Sequence, residues 1–437
     1  MRNFLTSDKN QERSAVLWNA FSAMMNSFQT TILLIVLTRA GTDTDSGIFV
    51  MAYAVGNLML QVGKYGVRQF QVTDTAEVYT FRDYVAARGL TVGLMLLASF
   101  GYAGYTLLSG QYTAQKAAVV LLICLVKAVE AFEDVLHGRL QQTGRLDIAG
   151  RILGIRLFLF IVLYALLFLE TRDLLLTSLI SLLITLALSV FMNWNVRGYL
   201  NDQENPAADG RASVGEKTSK GEGAQMGKQR VRSLLLACAP LCVSACLNMY
   251  VANAPKYIID SVVSAREQTA LNIVFMPVFV IALLGNFIFQ PILKRLGLLW
   301  HEKRTREFGG IVGRLAGIVA LLTVVIAIAG YWLGLPLLEL VYGVDLSAYR
   351  MVLLVFILDG GIIAMHNLLL LVITILRRQS RMIYGYIAAA LALFLFGTSV
   401  LKRWGIMALC LYFTFVLAML MLYFLLVICW KHREAEG

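Results

Sequence analysis

The sequence predicts an all-α integral membrane protein with about twelve transmembrane helices. Hydrophobic residues make up 59% of the 437-residue chain, only 15% of its residues are charged, and the mean hydropathy is +0.71. Twelve apolar segments recur along the chain, each long enough to cross about 30 Å of hydrocarbon as a helix. Helices are expected because a segment in lipid must satisfy its backbone polar groups internally.

The twelve predicted segments follow one another with short polar gaps, apart from one long gap in the middle of the chain. Numbered 1 to 12 in chain order, they are 15–38, 47–68, 85–108, 113–137, 149–169, 173–196, 233–262, 270–293, 311–334, 350–376, 382–401 and 405–430.

Lysine and arginine residues concentrate in every second gap. The gaps on the side of the N-terminus hold 29 of them, the gaps on the opposite side hold 7, and Lys127 and Lys256 lie inside apolar segments. Basic loops are retained on the cytoplasmic side, so we expect a multi-pass protein of the cell membrane with both termini cytoplasmic. The net charge of +11 is explained by this excess of basic residues on the cytoplasmic side, where they also attract anionic membrane lipids. It requires no nucleic-acid partner.

The N-terminal stretch and the loops argue against an exported enzyme. We expect no cleavable signal peptide, because segment 1 is too long for the apolar region of one and no small-residue cleavage site follows it. The exported loops are too short to form an external domain. The chain also lacks a Walker A sequence for binding ATP and a G-x-S-x-G nucleophile motif. We therefore predict no enzymatic activity, no catalytic residues and no cofactor.

A polar stretch at residues 198–232 divides the chain into two halves. It is rich in Gly, Ser, Lys and Glu and poor in apolar residues, so it predicts a flexible cytoplasmic linker. Six segments precede it, in an N-terminal lobe of residues 1–197. Six follow it, in a C-terminal lobe of residues 233–437. An even number of segments per half gives both halves the same orientation in the membrane, as in parallel repeats.

Polar residues recur at helical spacing inside several apolar segments, where ionisable groups are costly and generally face a cavity or a partner. Our candidates for lining a cavity are Asn26, Gln29, Arg39, Asn57, Gln61, Lys64, Arg68, Asn253 and Lys256. Our candidates for binding a coupling ion or proton are Glu130, Asp134, Asp260 and Asp359. Three alternatives stay open: Arg68 snorkels to the interface, Asn26 and Gln29 bond helix to helix, or Lys256 pairs with Asp260 structurally.

Two further patterns concern metal binding and bending. Segment 4 carries Glu130, Glu133, Asp134 and His137 on or beside one face, but Lys127 one turn away is expected to neutralise the carboxylates, so we predict no metal site.

Pro255 stands immediately before Lys256 and predicts a bend or break in segment 7 next to an intramembrane cation.

Three short stretches carry a resemblance to a known family. They are YGVRQFQVTD at 65–74, QQTGRLDIAGR at 141–151 and NAPKYIID at 253–260. They occur in the order and the places expected of the polysaccharide (O-antigen-type) flippases of the multidrug/oligosaccharidyl-lipid/polysaccharide (MOP) exporter superfamily. The chain resembles these proteins along essentially its whole length.

The resemblance implies a V-shaped pair of six-helix lobes around a central cavity that opens alternately to the two sides. The implied substrate is an oligosaccharide linked to undecaprenyl diphosphate, moved from the cytoplasmic to the outer leaflet. Lys64, Arg68 and Lys256 would then contact the diphosphate, and the amide side chains would contact sugars. Carboxylates such as Asp359 would bind Na⁺ or H⁺ if transport is coupled.

Other functions remain as alternatives. A cation-coupled drug antiporter of the same superfamily would favour acidic and aromatic cavity residues over Lys and Arg. A flippase of the lipid II or teichoic type tends to have more helices. A membrane-embedded glycosyltransferase or polymerase is disfavoured by the short exported loops and the missing motifs. A membrane scaffold would not need charged stripes on several helices.

Overall fold

Helices make up nearly all of the protein in a computed structural model that describes residues 5–6, 11–74, 78–201, 220–260, 262–289, 292–376 and 378–429. No β-strand occurs among these residues. Residues 202–219, the larger part of the predicted linker, and both chain termini lie outside them. The predicted all-α fold class is therefore confirmed.

The helices of the first half of the chain are α1 (Gln11–Ala40), α2 (Asp43–Lys64), α3 (Val67–Thr73), α4 (Phe81–Leu108), α5 (Ala114–Gln142), α6 (Leu146–Thr171), α7 (Leu174–Asn195) and α8 (Arg197–Asn201). Those of the second half are α9 (Lys220–Asp260), α10 (Ala265–Phe289), α11 (Leu293–His301), α12 (Thr305–Ala329), α13 (Leu335–Tyr342), α14 (Arg350–Ile375) and α15 (Gln379–Cys429). A π-helical turn, Gly330–Gly334, joins α12 to α13.

The number of membrane-crossing helices agrees with the prediction. Ten helices of the described chain are long and apolar enough to cross a membrane. The last of these is divided by Gly405, whose φ of 79° and ψ of −173° interrupt α15. Helix α5 is equally long but carries too many charges to count as apolar. Dividing α15 and including α5 brings the total to twelve.

Local sequence signals explain where several helices begin and end. Thr80 and Asp83 form a reciprocal capping box at the start of α4, and the Asp173 carboxylate accepts from two backbone N–H groups at the start of α7. Gly343 ends α13 in the left-handed conformation with a φ of 72°, which glycine adopts without strain. Caps fix the helix limits because the first N–H groups and the last C=O groups have no partner within the helix.

The outward faces of the helices are strongly apolar. The span Thr305–Tyr342 has a mean hydropathy of 2.5, yet only 17% of the residues in its most apolar 18-residue stretch are buried. Leu321, Val325 and Ile328 on α12 are each more than half exposed. Apolar surface of this extent is unstable in water but matches the hydrocarbon of a bilayer. The chain is a multi-pass membrane protein.

The described chain forms two compact units. Unit 1 comprises Met1–Leu33 and Val55–Cys246, and unit 2 comprises Leu34–Ala54 and Leu247–Gly437. The boundaries between them fall within α1, α2 and α9. Helix α9 begins at Lys220, inside the predicted linker 198–232. The proposed division into lobes 1–197 and 233–437 remains a prediction.

Each unit is organised around one central helix. In unit 1, α5 packs against α3, α4 and α7. In unit 2, α14 packs against α10, α12 and α15. Phe275 of α10 anchors the second core, with its ring centroid 4.8 Å from that of Phe356 and 6.4 Å from that of Phe413. The two central helices carry half of the buried Asp, Glu, Lys, Arg and His residues of the described chain. Positions surrounded by protein can supply such groups with partners.

Candidate functional site

Two predicted candidates, Lys64 and Glu130, meet where α2 ends against the middle of α5. The Lys64 ammonium lies 3.0 Å from one carboxylate oxygen of Glu130, and the Lys127 ammonium lies 3.0 Å from the other. The Lys64 side chain is 33% exposed, whereas that of Lys127 is 4% exposed. One carboxylate is therefore shared between a partly exposed cation and a buried one.

The same arrangement repeats one helical turn along α5, at Asp134. Arg68 of α3 contacts one carboxylate oxygen of Asp134 at 3.3 Å, and Arg88 of α4 contacts the other at 2.8 Å. The Arg68 side chain is 27% exposed and that of Arg88 is fully buried. Arg88 also donates to the Gly63 carbonyl at 2.6 Å. We call these six residues the ladder: Lys64, Arg68, Arg88, Lys127, Glu130 and Asp134.

A sharp turn between α2 and α3 separates the two outer cations of the ladder. Tyr65 and Gly66 both have positive φ values, 49° and 71°. A Cβ on Gly66 would lie 2.7 Å from the Cβ of Leu241, so a larger residue would be strained in conformation and crowded by its neighbour. The left-handed turn ends α2 and starts α3, and it places Lys64 and Arg68 opposite successive carboxylates of α5.

A third buried ion pair lies beside the ladder. Glu133 of α5 lies 2.7 Å from the Arg156 guanidinium of α6, and each of these side chains is 2% exposed. Asn193 of α7 donates to the other Glu133 oxygen at 3.1 Å. His137, one turn beyond Glu133, is 2% exposed, and its Nε2 has no hydrogen-bond partner among the described residues.

Positive charge exceeds negative charge in this interior. Five cations (Lys64, Arg68, Arg88, Lys127 and Arg156) face three carboxylates (Glu130, Glu133 and Asp134). Lys127 contacts Glu130 as the sequence predicts, and a cation so close to the carboxylate opposes metal binding. The surplus favours an anionic partner at the exposed edge of the ladder.

Lys256 of α9 is buried among apolar and aromatic side chains of unit 2. It is 6% exposed, and its ammonium lies 4.6 Å from the ring centroid of Phe279 and 5.4 Å from that of Phe275. The described residues provide no carboxylate partner for it. Beside it is a cavity with room for about one water molecule, also lined by Pro255, Asn272 and Cys410. Cation–π contacts therefore take the place of an ion pair.

The neighbours of Lys256 on α9 have other partners. Asp260 accepts a hydrogen bond of 2.6 Å from Gln268, so the alternative of a structural Lys256–Asp260 ion pair is not seen among the described residues. The Asn253 amide donates to the Met249 carbonyl one turn earlier, at 3.1 Å. Helix α9 continues through Pro255 as one helix, so the predicted break is not found, and the predicted bend stays a prediction.

Asp359 is the most enclosed carboxylate of unit 2. It lies in the middle of α14 with 0% exposure, and neither of its oxygens has a hydrogen-bond partner among the residues that the structure describes. The Thr414 hydroxyl of α15 is nearby but donates to the Cys410 carbonyl at 3.0 Å. The Nε2 atom of His366, two turns further along α14, likewise finds no hydrogen-bond partner in the described part of the chain. A coupling role for Asp359 remains a prediction.

Arg39, predicted to bind substrate, lies at the end of α1 and contacts a helix terminus. Its guanidinium donates to the carbonyls of Leu340 and Val341, at the C-terminal end of α13. These carbonyls lack partners within the helix, and a cation there also favours the negative end of the helix dipole. In this structure Arg39 therefore caps the C-terminal end of α13.

The predicted amide side chains of unit 1 differ in how far they are buried. Asn26 is exposed on α1, whereas Gln29, one turn on, is buried with 3% exposure. Asn57 and Gln61 are half-buried on α2, about two turns and one turn before Lys64. The Gln61 amide is 3.5 Å from the Asn57 carbonyl, which is a weak contact. Asn57 and Gln61 therefore share a helix with Lys64 of the ladder, whereas Asn26 and Gln29 lie on α1.

Arg88 and Arg156 are functional candidates that the sequence reasoning missed. Both were counted with the cytoplasmic loops, and this was wrong, because each lies inside a helix and is buried. The signal was available, since both fall inside the predicted segments 85–108 and 149–169. Removing them leaves 27 basic residues on that side, so the charge asymmetry remains.

The chain can be compared with known proteins by sequence and by structure. No family model matches the chain. The capsular polysaccharide biosynthesis protein CapF of Staphylococcus aureus is 20% identical over 337 residues, which cover 75% of this chain and 78% of that protein.

Several solved structures share the architecture. The Vibrio cholerae MATE transporter VcmN has a TM-score of 0.60 at 13% identity, covering 97% of this chain and 98% of that one. An inward-facing multidrug resistance MATE family transporter of the MOP superfamily has a TM-score of 0.58 at 9% identity, covering 96% and 98%. The eukaryotic MATE transporter AtDTX14 has a TM-score of 0.56 at 12% identity, covering 98% of each chain. The chain has the fold of these MATE transporters.

Proposed function

We propose that the protein is a flippase that moves oligosaccharides linked to undecaprenyl diphosphate from the cytoplasmic to the outer leaflet of the cell membrane by alternating access. The observation that carries this proposal is the surplus of cations over carboxylates inside unit 1. Lys64 and Arg68 stand at its exposed edge. A diphosphate cannot cross about 30 Å of hydrocarbon without fixed positive charge and water around it.

Other groups fit the remaining parts of such a substrate. Asn57 and Gln61 lie next to Lys64 on α2 and offer donors and acceptors for sugar hydroxyls. Lys256 is a further fixed cation, held by aromatic rings, and no carboxylate of the described residues neutralises its charge. The similarity to a capsular polysaccharide biosynthesis protein also favours a glycan substrate.

A cation-coupled drug antiporter of the same superfamily is the second candidate. The solved structures that share the fold include multidrug resistance transporters. Asp359 favours this candidate, because a buried carboxylate without a cationic partner suits an organic cation, Na⁺ or H⁺. A flippase for lipid II or teichoic precursors is a third, and it would use the same cations. The charge balance of unit 1 is the reason for preferring an anionic substrate.

Reconstitution in liposomes separates these candidates. The purified protein is inserted with a short-chain lipid diphosphate carrying a fluorescent oligosaccharide, and its movement between leaflets is measured by an impermeant quencher. We expect flipping by the wild type, strong loss in Lys64→Gln/Arg68→Gln, and full activity in Arg306→Gln, which removes an exposed charge on α12. Export of ethidium without any lipid movement would assign the protein to the antiporters instead.

A further inference from the structure

Each carboxylate of the ladder is held twice. Glu130 has the buried Lys127 on one oxygen and the partly exposed Lys64 on the other. Asp134 has the buried Arg88 on one oxygen and the partly exposed Arg68 on the other. The buried partner and the exposed partner thus occupy separate oxygens at both positions.

Double pairing makes the two outer cations removable. Taking away the only partner of a buried charge is strongly destabilising, because the charge is left uncompensated. Here the departure of Lys64 leaves Glu130 with Lys127, and the departure of Arg68 leaves Asp134 with Arg88. Both outer side chains are long and about a third or a quarter exposed, so they can reach solvent without unpacking the helices.

The charge of the ladder matches one class of ligand. Four cations and two carboxylates give the six residues a net charge of +2. A diphosphate that links a lipid to a sugar has one ionised oxygen on each phosphate and therefore carries −2. The two outer cations stand one helical turn apart along α5, so each phosphate can take one cation as a charge-assisted partner.

We propose that Glu130 and Asp134 act as internal placeholders for the two phosphates of the substrate. In the empty protein they hold Lys64 and Arg68, and the arriving diphosphate takes these two cations from them. On release the carboxylates take the cations back. The inference rests on the proposed function, and it assigns these residues to substrate exchange rather than to the ion coupling expected from the sequence.

This exchange has a physical advantage over a ladder made only of cations. Four unpaired cations at such close spacing would repel one another in a medium of low dielectric constant. They would also hold a diphosphate so tightly that its release would be slow. A carboxylate that competes for the outer cation reduces the repulsion between the cations and speeds the release of the diphosphate. It also disfavours ligands that carry too little negative charge to displace it.

A direct binding measurement tests the proposal. The probe is farnesyl diphosphate, titrated into the purified full-length protein in detergent, with farnesol as the control for binding of the prenyl chain alone. Glu130→Gln removes the placeholder and leaves Lys64 unopposed. We expect it to tighten the binding of farnesyl diphosphate by about fivefold, the scale of a partly exposed ion pair. Lys64→Gln is expected to weaken binding by a similar factor.

Glu133→Gln provides the matched control. It removes the same charge from the same helix, but the partner that it leaves, Arg156, is buried and releases no exposed cation. Because the loss of one member of this pair also destabilises unit 1, the titration is done well below the unfolding temperature of the variant. We expect a clearly smaller change in Kd. Equal tightening by Glu133→Gln would attribute the effect to net charge and overturn the placeholder role.

A second variant keeps the test decisive if Glu130→Gln does not fold. Lys127→Gln leaves Glu130 with Lys64 as its only ion-pair partner among the described residues, so Lys64 is held more firmly. We expect weaker binding of farnesyl diphosphate, although no exposed cation has been removed. A static ion-pair network predicts no tightening in Glu130→Gln and no weakening in Lys127→Gln. If the wild type binds farnesyl diphosphate no better than farnesol, the proposed function fails, and the placeholder role with it.

Discussion

Arg156 of α6 and Glu133 of α5 form an ion pair of 2.7 Å in which each side chain is only 2% exposed. Asn193 of α7 donates to the same carboxylate, so three helices of unit 1 meet at one buried charge. A buried pair contributes little net stability relative to apolar residues of the same size, but each charge depends on the other. The pair therefore fixes how these helices pack.

Removing one member of this pair should destabilise unit 1. We predict that Arg156→Met lowers the free energy of unfolding by about 3–5 kcal/mol, because Glu133 is left as an uncompensated buried charge. Adding Glu133→Gln to Arg156→Met should restore most of the loss, since a neutral amide remains that can still accept from Asn193. Thermal unfolding of the detergent-solubilised protein measures both. A double variant no more stable than Arg156→Met would show that the charge is not the cause.

Lys256 should be required for transport without being required for folding. We predict that Lys256→Gln inserts normally and lowers the rate of lipid flipping by about tenfold or more, the loss expected for a buried charged contact worth about 1.5–3 kcal/mol. Phe279→Leu removes a cation–π contact but keeps the charge, so we expect a smaller loss. The measurement is the rate of lipid flipping in liposomes at equal protein content.

A charge swap provides the control for Lys256. Because Asp260 is bonded to Gln268 and not to Lys256, Lys256→Asp combined with Asp260→Lys should remain inactive. Recovery of flipping by the swap would mean that the two side chains pair during the cycle, and it would contradict a role in binding substrate. Full activity of Lys256→Gln would exclude both roles.

Arg39 should stabilise the end of α13 instead of binding substrate. We predict that Arg39→Ala lowers the free energy of unfolding by about 1–2 kcal/mol, through the loss of two hydrogen bonds to helix-terminal carbonyls. Lys402→Ala, at another exposed basic position, should have almost no effect. Binding of farnesyl diphosphate should be unchanged in both. A loss of ligand affinity in Arg39→Ala without a loss of stability would return Arg39 to the substrate site.

The predicted orientation can be checked by cysteine labelling in intact cells. We expect Ser109→Cys, between α4 and α5, to react with an impermeant maleimide added outside, and Lys303→Cys, between α11 and α12, to react only after permeabilisation. The exposed native Cys429 and the partly exposed Cys246 are replaced first. Labelling of position 303 from outside would reverse the topology and place the ladder at the outer surface.

The sequence predicted the helices well because their signal is local. An apolar run of sufficient length has one stable form in a bilayer, so segment 3, predicted at 85–108, is found as α4 at Phe81–Leu108. The errors at the helix ends have a local cause too, since the capping box at Thr80 starts α4 before the apolar run begins. The short helix α3 was missed because most of Val67–Thr73 lies beyond segment 2 and is too polar to give an apolar signal. The positive φ values at Tyr65 and Gly66 separate it from α2.

The partners of the charged residues could not be read from the sequence. Helical spacing placed Glu130 and Asp134 on one face of α5, but it could not show which side chains from other helices face them. Lys64 and Arg68 were found as cavity candidates and are now seen paired with those two carboxylates. Arg88 was missed because an arginine near a segment end has the same sequence pattern whether it points to water or to a buried acid.

The sequence by itself determined that the chain crosses a membrane about twelve times, because hydrophobic length and backbone hydrogen bonding leave no other structure for such segments. Only the tertiary structure decided which charges cancel and which remain available. A buried cation and a carboxylate attract over a few ångströms, so their pairing depends on how α2, α3, α4 and α5 pack together. That packing leaves Lys64 and Arg68 at the exposed edge of the ladder, with Lys127 and Arg88 buried behind them.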